Sequence, residues 1–80
     1  MNEQLKITAA RIKALREERG WTIEELAKVS GLPIGSIHNY ENCIKAPGYN
    51  SILRLMTAFN ESADYIMGFS ATRRLKKIAE

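Results

Sequence analysis

Residues 22–42 read TIEELAKVSGLPIGSIHNYEN, and the fold turns on this stretch. Thr22 followed three residues later by Glu25 is a capping box: the hydroxyl takes a first-turn N–H and the carboxylate takes the N–H of the cap itself. A helix therefore starts at Thr22, carries Leu26, Ala27 and Val29, and stops near Gly31. Pro33 suits the first turn of a further helix, where a missing N–H costs nothing. Ile37 and Tyr40 then fall at i and i+3 on one face of it. Ala27 has no bulk to hold the two helices apart, and Gly31 can take the left-handed backbone of a tight turn. The reading is helix, short turn, helix, crossing at a steep angle.

The flanks continue the helical spacing. Ile12, Leu15 and, after a turn, Trp21 suit the inner side of a helix from about Thr8 to Arg19, with Gly20 as the residue that ends it. Beyond the Pro47-Gly48 break, Asn50 or Ser51 can cap a helix whose Ile52, Leu55, Met56 and Phe59 follow the i, i+3, i+4, i+7 pattern. Glu61 or Ser62 begins a short last helix with Tyr65 and Ile66 inward. No stretch alternates with period 2 long enough for a strand. The expectation is an all-α domain of five short helices over residues 8–68, with a basic extension at 69–80.

Composition agrees with a single folded unit. The chain has 80 residues, 45% hydrophobic and 26% charged, the balance of a globular domain and not of a disordered tail. A chain of this length buries only about 60% of its unfolded surface, so its core must be efficient. With one cysteine, Cys43, no disulfide can brace it. Cys43 and His38 are the only soft ligands, so no metal site is expected. No apolar run approaches the roughly 18 residues of a membrane helix, and the N-terminus lacks the apolar stretch of a signal peptide. The expected setting is reduced and cytoplasmic, without membrane, cofactor or small-molecule ligand.

The formal net charge of +3 is unevenly placed. Residues 1–20 carry five cations against three acids, and the last twelve carry Arg73, Arg74, Lys76 and Lys77 against Glu80. Residues 21–68 are slightly acidic. The basic excess therefore lies at the two ends, not on the helix after the turn. Ala71, Leu75, Ile78 and Ala79 would share one side of a sixth helix in the extension. That segment reads as a solvated linker, as a dimerisation or DNA-backbone element, or as a short basic membrane-surface segment.

Enzyme chemistry finds no support. One histidine cannot build a Ser-His-Asp or Cys-His arrangement within this motif. Glu24 and Glu25 point in different directions on a helix, and negative charge in a first turn stabilises the helix anyway. Nothing but Lys45 stands near Cys43 in sequence to activate it, so it reads as an ordinary loop residue. Trp21, Tyr40, Phe59 and Tyr65 match inner helix faces and read as core aromatics. His38 reads as an outward polar residue.

The wider pattern is Arg11-Ile12, Leu15-Arg16, Gly20, Thr22, Glu25-Leu26-Ala27, Gly31, Ser36-Ile37, Tyr40-Glu41-Asn42, Pro47, Leu55 and Tyr65-Ile66. It resembles the phage-repressor-like Cro/C1-type helix-turn-helix family, also called the XRE family, from about Arg11 to Gly68. The resemblance implies a five-helix lambda-repressor-like domain that binds duplex DNA by sequence, as a homodimer on a two-fold operator, in the manner of a repressor. It implies that Thr22 meets a phosphate at a helix N-terminus, where unpaired N–H groups and the helix dipole favour an anion. Ile34, Gly35, Ser36, His38 and Asn39 would face bases and flanking phosphates, with Asn39 suited to a bidentate contact with adenine. Asn42 and Lys45 would meet backbone phosphates, which position without reading sequence. Arg16 and Glu41 match an ion pair that ties the first helix to the recognition helix.

The chain departs from the family pattern at four positions. Ile23 stands where the family commonly has Gln, Ile34 and Gly35 where it commonly has polar or basic residues, and Cys43 where it commonly has Gly. The recognition helix carries no Lys or Arg, so guanine readout through arginine is absent. Ile34 is instead suited to a thymine methyl. The competing expectation is a protein-interaction module on the same fold, antitoxin-like or antirepressor-binding, that uses the Ile34-Gly35 surface. A contiguous apolar patch around Ile34 would favour a protein partner, and isolation among polar groups would favour DNA.

Overall fold

Residues 3–69 are described by the structure, a computed structural model. They form α1 (Glu3–Glu18), α2 (Ile23–Ser30), α3 (Ile34–Glu41), α4 (Tyr49–Phe59) and α5 (Ala63–Ile66), and no strand occurs among the described residues. The expected sixth helix falls on residues 70–80, outside the described residues.

Each helix stops on a residue in the left-handed region: Gly20, Gly31, Cys43, Asn60 and Gly68 have φ of 69°, 76°, 61°, 57° and 85°. At α3 the backbone closes as a Schellman motif. Ile44 N–H donates to Asn39 C=O at 2.9 Å and Cys43 N–H to Tyr40 C=O at 3.4 Å. The chain thus reverses within three or four residues after α1, α2 and α4, which lets five short helices enclose one core.

That core is Ile12 and Leu15 of α1, Leu26 and Ala27 of α2, Leu32 of the turn, Ile37 and Tyr40 of α3, Ile52, Leu55 and Phe59 of α4, and Ile66 of α5. Helix α3 packs on α1 and α2, α4 packs on α2 and α5, and α5 returns to α1. Each fully buried side chain of this size stabilises by about 1.5–3 kcal/mol. Trp21 stacks on Phe59 with ring centroids 6.1 Å apart. The Arg19 guanidinium lies 5.2 Å from the Phe59 ring centroid. Tyr65 is half-buried, covered by the Arg11 guanidinium at 4.1 Å.

Three boundaries differ from the sequence reading, and a fourth is settled between its two candidates. Helix α1 starts at Glu3, not at about Thr8. The amide of Gln4 donates to the Met67 carbonyl, and Ile7 packs against Gly68, so α5 holds the first turns of α1. Pro33 is the N-cap of α3 and lies just outside its first turn; its carbonyl accepts from Ser36 and Ile37 N–H at 3.0 and 3.2 Å. Helix α4 is capped by Gly48, not by Asn50 or Ser51. The Ser51 hydroxyl is engaged 2.8 Å from Tyr40 Oη, a bond that ties α4 to α3. Of the two candidates for α5, Ser62 is the cap, its hydroxyl accepting from Tyr65 N–H at 3.1 Å. Glu61 is instead buried, 3.7 Å from Arg19.

Candidate nucleic-acid interface

Helix α2 begins with both halves of the capping box in place. Glu25 N–H donates to Thr22 Oγ1 at 3.1 Å, and Thr22 N–H donates to Glu25 Oε1 at 2.8 Å. The N–H groups of Ile23 and Glu24 precede any carbonyl four residues back within the helix and point outward from its end. They are the groups an anion at this terminus would use. Glu24 and Glu25 lie in the same turn, and their negative charge complements the helix dipole while opposing an approaching phosphate. Anchoring here rests on the amides and the Thr22 hydroxyl.

Helix α3 is held from one side. Ile37 and Tyr40 are buried, and Glu41 faces inward to Arg16. Arg16 Nε donates to Glu41 Oε2 at 2.7 Å and Nη2 to Oε1 at 3.0 Å, a two-pronged pair that leaves 12% and 4% of the side chains exposed. Arg16 Nη1 also donates to the Trp21 carbonyl at 2.8 Å. The hydrogen bond that Arg16 donates to Glu41 raises the Arg16 pKa above the ordinary guanidinium value, against the opposing effect of burial. The pair therefore joins α1, the start of α2 and α3 at one point. Residues 37, 40 and 41 share a face by helical spacing, so residues 35, 39 and 42 are turned to the opposite one, with 38 at its edge and 34 exposed at the start of the helix.

On that outward side Ile34, Gly35 and His38 are exposed, and Ser36 and Asn39 are half-exposed. The structure brings Thr22, Ile34, Gly35, His38 and Asn39 into one cleft of about 710 Å³, which Arg16, Ile23 and Glu24 also line. Ser36 lies on α3 but does not line the cleft. Asn42 and Lys45 lie beyond its end. The Asn42 amide donates to the His38 carbonyl at 2.8 Å and so closes the last turn of α3. Lys45 is exposed, and its backbone N–H donates to the Asn39 carbonyl at 3.3 Å, which fixes the loop against the recognition helix.

Two lining residues, Ile23 and Glu24, were not among the expected contacts. Their position could have been read from the capping box, because they are the first two residues after the Thr22 cap. Ile34 is 50% exposed, and the other exposed large hydrophobics, Val29, Ile44, Tyr49, Leu53 and Phe69, lie outside the cleft. The apolar surface around Ile34 is thus a small strip flanked by polar groups. Among the described residues no helix is long and apolar enough to cross a membrane.

Residues 12–66 match a family model described as helix-turn-helix. The chain is 31% identical over 58 residues to the HTH-type transcriptional regulator ImmR of Bacillus subtilis, a match covering 72% of this chain and 46% of that protein. It is 37% identical over 57 residues to an HTH-type transcriptional regulatory protein of Pyrococcus horikoshii, covering 71% of this chain and 18% of that one. The chain therefore spans less than half the length of these curated relatives. The crystal structure of the restriction-modification controller protein C.AhdI from Aeromonas hydrophila superposes with a TM-score of 0.75 at 26% identity, over 81% of this chain and 98% of that one.

Proposed function

The chain belongs to the Cro/C1-type helix-turn-helix family of transcriptional regulators, and on that premise we propose that it binds duplex DNA by sequence, as a cytoplasmic homodimeric repressor. The observation that carries the reading is the outward face of α3, held rigidly from behind by Ile37, Tyr40 and the Arg16–Glu41 pair. With its side chains a helix such as α3 is about 10–12 Å across, which fits the roughly 12 Å width of the major groove.

In this reading α3 enters the groove, Asn39 pairs with an adenine edge, and Ser36 and His38 supply further polar contacts. The Thr22 end of α2 and the loop with Asn42 and Lys45 rest on phosphates. One recognition helix spans only a few base pairs. A second protomer about one helical turn away doubles the contact, and a bound pair lying over a promoter excludes polymerase. A protein-docking role for α3 has less support, because a docking face needs a contiguous apolar patch and the strip at Ile34 is small and bordered by polar groups.

The test is fluorescence anisotropy against a duplex pool enriched by selection, repeated over a salt series. Binding is expected to fall linearly in log–log form with salt. Absence of salt-sensitive binding to every duplex at low salt refutes the proposal. Asn39→Ala should compress the difference between selected and random sequences, whereas Lys45→Ala should weaken all sequences alike and reduce the salt slope by about one.

A further inference from the structure

The cleft between α2 and α3 has an apolar strip of Ile23, Ile34 and Gly35, with His38 and Asn39 further along the same helix. Ile23 is half-buried, Ile34 is half-exposed, and a Cβ built on Gly35 meets nothing within 4 Å, so the strip is open. Its two isoleucine side chains offer only C–H surface.

In the major groove, guanine, cytosine and adenine present polar atoms, and thymine alone adds an apolar group, its C5-methyl. A guanine O6 or cytosine amine pressed against Ile23 and Ile34 would lose water and gain no partner, which is unfavourable. A methyl group has no such loss. Resting on the reading of α3 as a groove-entering helix, the geometry points to a thymine-methyl site formed by Ile23, Ile34 and Gly35, next to the base read by Asn39. Recognition at this step is apolar, without a cation or a bidentate hydrogen bond. Ile34 and Ile23 determine specificity by excluding the polar base edges.

The experiment uses the full chain and a selected duplex in which the thymines are replaced one at a time by deoxyuridine, which differs only by the methyl. At one or two positions per half-site the affinity is expected to fall about fourfold, the effect of one buried methyl group. In Ile34→Ala the effect of the same replacement should shrink, because of the two isoleucine side chains only Ile23 remains. At that position a 5-methylcytosine duplex should bind more tightly than its cytosine counterpart by a similar factor. Tight, sequence-selective binding that is indifferent to every deoxyuridine replacement overturns the thymine-methyl site while leaving the DNA-binding reading intact. So does a deoxyuridine effect that persists unchanged in Ile34→Ala, since it then arises in the DNA and not at the strip. Failure to bind any duplex overturns the underlying reading itself.

Discussion

Glu41→Leu is the sharpest probe of the scaffold beneath the recognition helix. Glu41 and Arg16 make two hydrogen bonds of 2.7 and 3.0 Å with little of either side chain exposed. Removing one partner of such a buried pair typically costs about 3–5 kcal/mol, because the remaining charge is left uncompensated. Arg16 keeps its bond to the Trp21 carbonyl and a little solvent contact, so we expect the low end, about 3 kcal/mol. A domain of 80 residues has a total stability on the order of 4–12 kcal/mol, so this loss is a large share. At about 4–8 °C per kcal/mol, the midpoint should fall by about 12–24 °C. Urea and thermal unfolding followed by far-ultraviolet circular dichroism measure it. Arg16→Met should cost a similar amount for the opposite reason, an orphaned carboxylate. The double variant should recover most of the loss and end within about 1–2 kcal/mol of the parent, the residue being the bond lost at the Trp21 carbonyl. Additive losses, with the double variant as low as the sum of the singles, refute the claim that the two charges hold each other. The raised Arg16 pKa makes the sign of any pH effect definite. The contribution is complete below the unfolded guanidinium pKa and is lost only as pH rises through the higher folded one. No Arg16 titration should therefore be seen near neutrality.

Three further outcomes are expected. Cys43 holds φ of 61° at the close of α3, so Cys43→Gly should stabilise by about 0.5–1 kcal/mol, the left-handed strain of roughly 1–2 kcal/mol less the entropy glycine adds to the unfolded chain; a lowered urea midpoint would count against it. Gly68→Ala should destabilise by about 2–4 kcal/mol, because φ is 85° and a Cβ would collide with Ile7 of α1; unchanged stability would show that α1 and α5 do not pack there. Glu24 is exposed beside the Thr22 cap and outside the capping box, so Glu24→Gln should leave the fold intact and tighten duplex binding about two- to fivefold at low salt, measured by anisotropy; weaker binding would place the phosphate elsewhere.

The helices were legible wherever the information was local. Thr22 and Glu25 announce the start of α2 within four residues, and Gly20 and Gly31 mark stops that depend on backbone freedom alone. Where a partner distant in sequence decides, the reading failed. Residues 3–7 carry no strong helical signal, yet they are helical because Gln4 and Ile7 meet Met67 and Gly68. Ser51 has the chemistry of a cap, but Tyr40 takes its hydroxyl and α4 starts earlier, at Tyr49 behind the Gly48 cap. Glu61 offered itself as a cap and instead lies buried near Arg19.

The same division runs through the candidate site. Sequence by itself determined the helix-turn-helix, the helix that follows the turn, and its lack of cationic side chains, since these follow from caps, spacing and residue type. Only the tertiary structure decided that Ile23 and Glu24 join Ile34 and Asn39 in one cleft, that Asn42 spends its amide on closing α3, and that Arg16 clamps Glu41 and the Trp21 carbonyl together. The physical reason is that a cap or a helical period is a property of neighbours within one turn, whereas a cleft is set by the angle at which two helices cross, and that angle depends on the packing of the whole core.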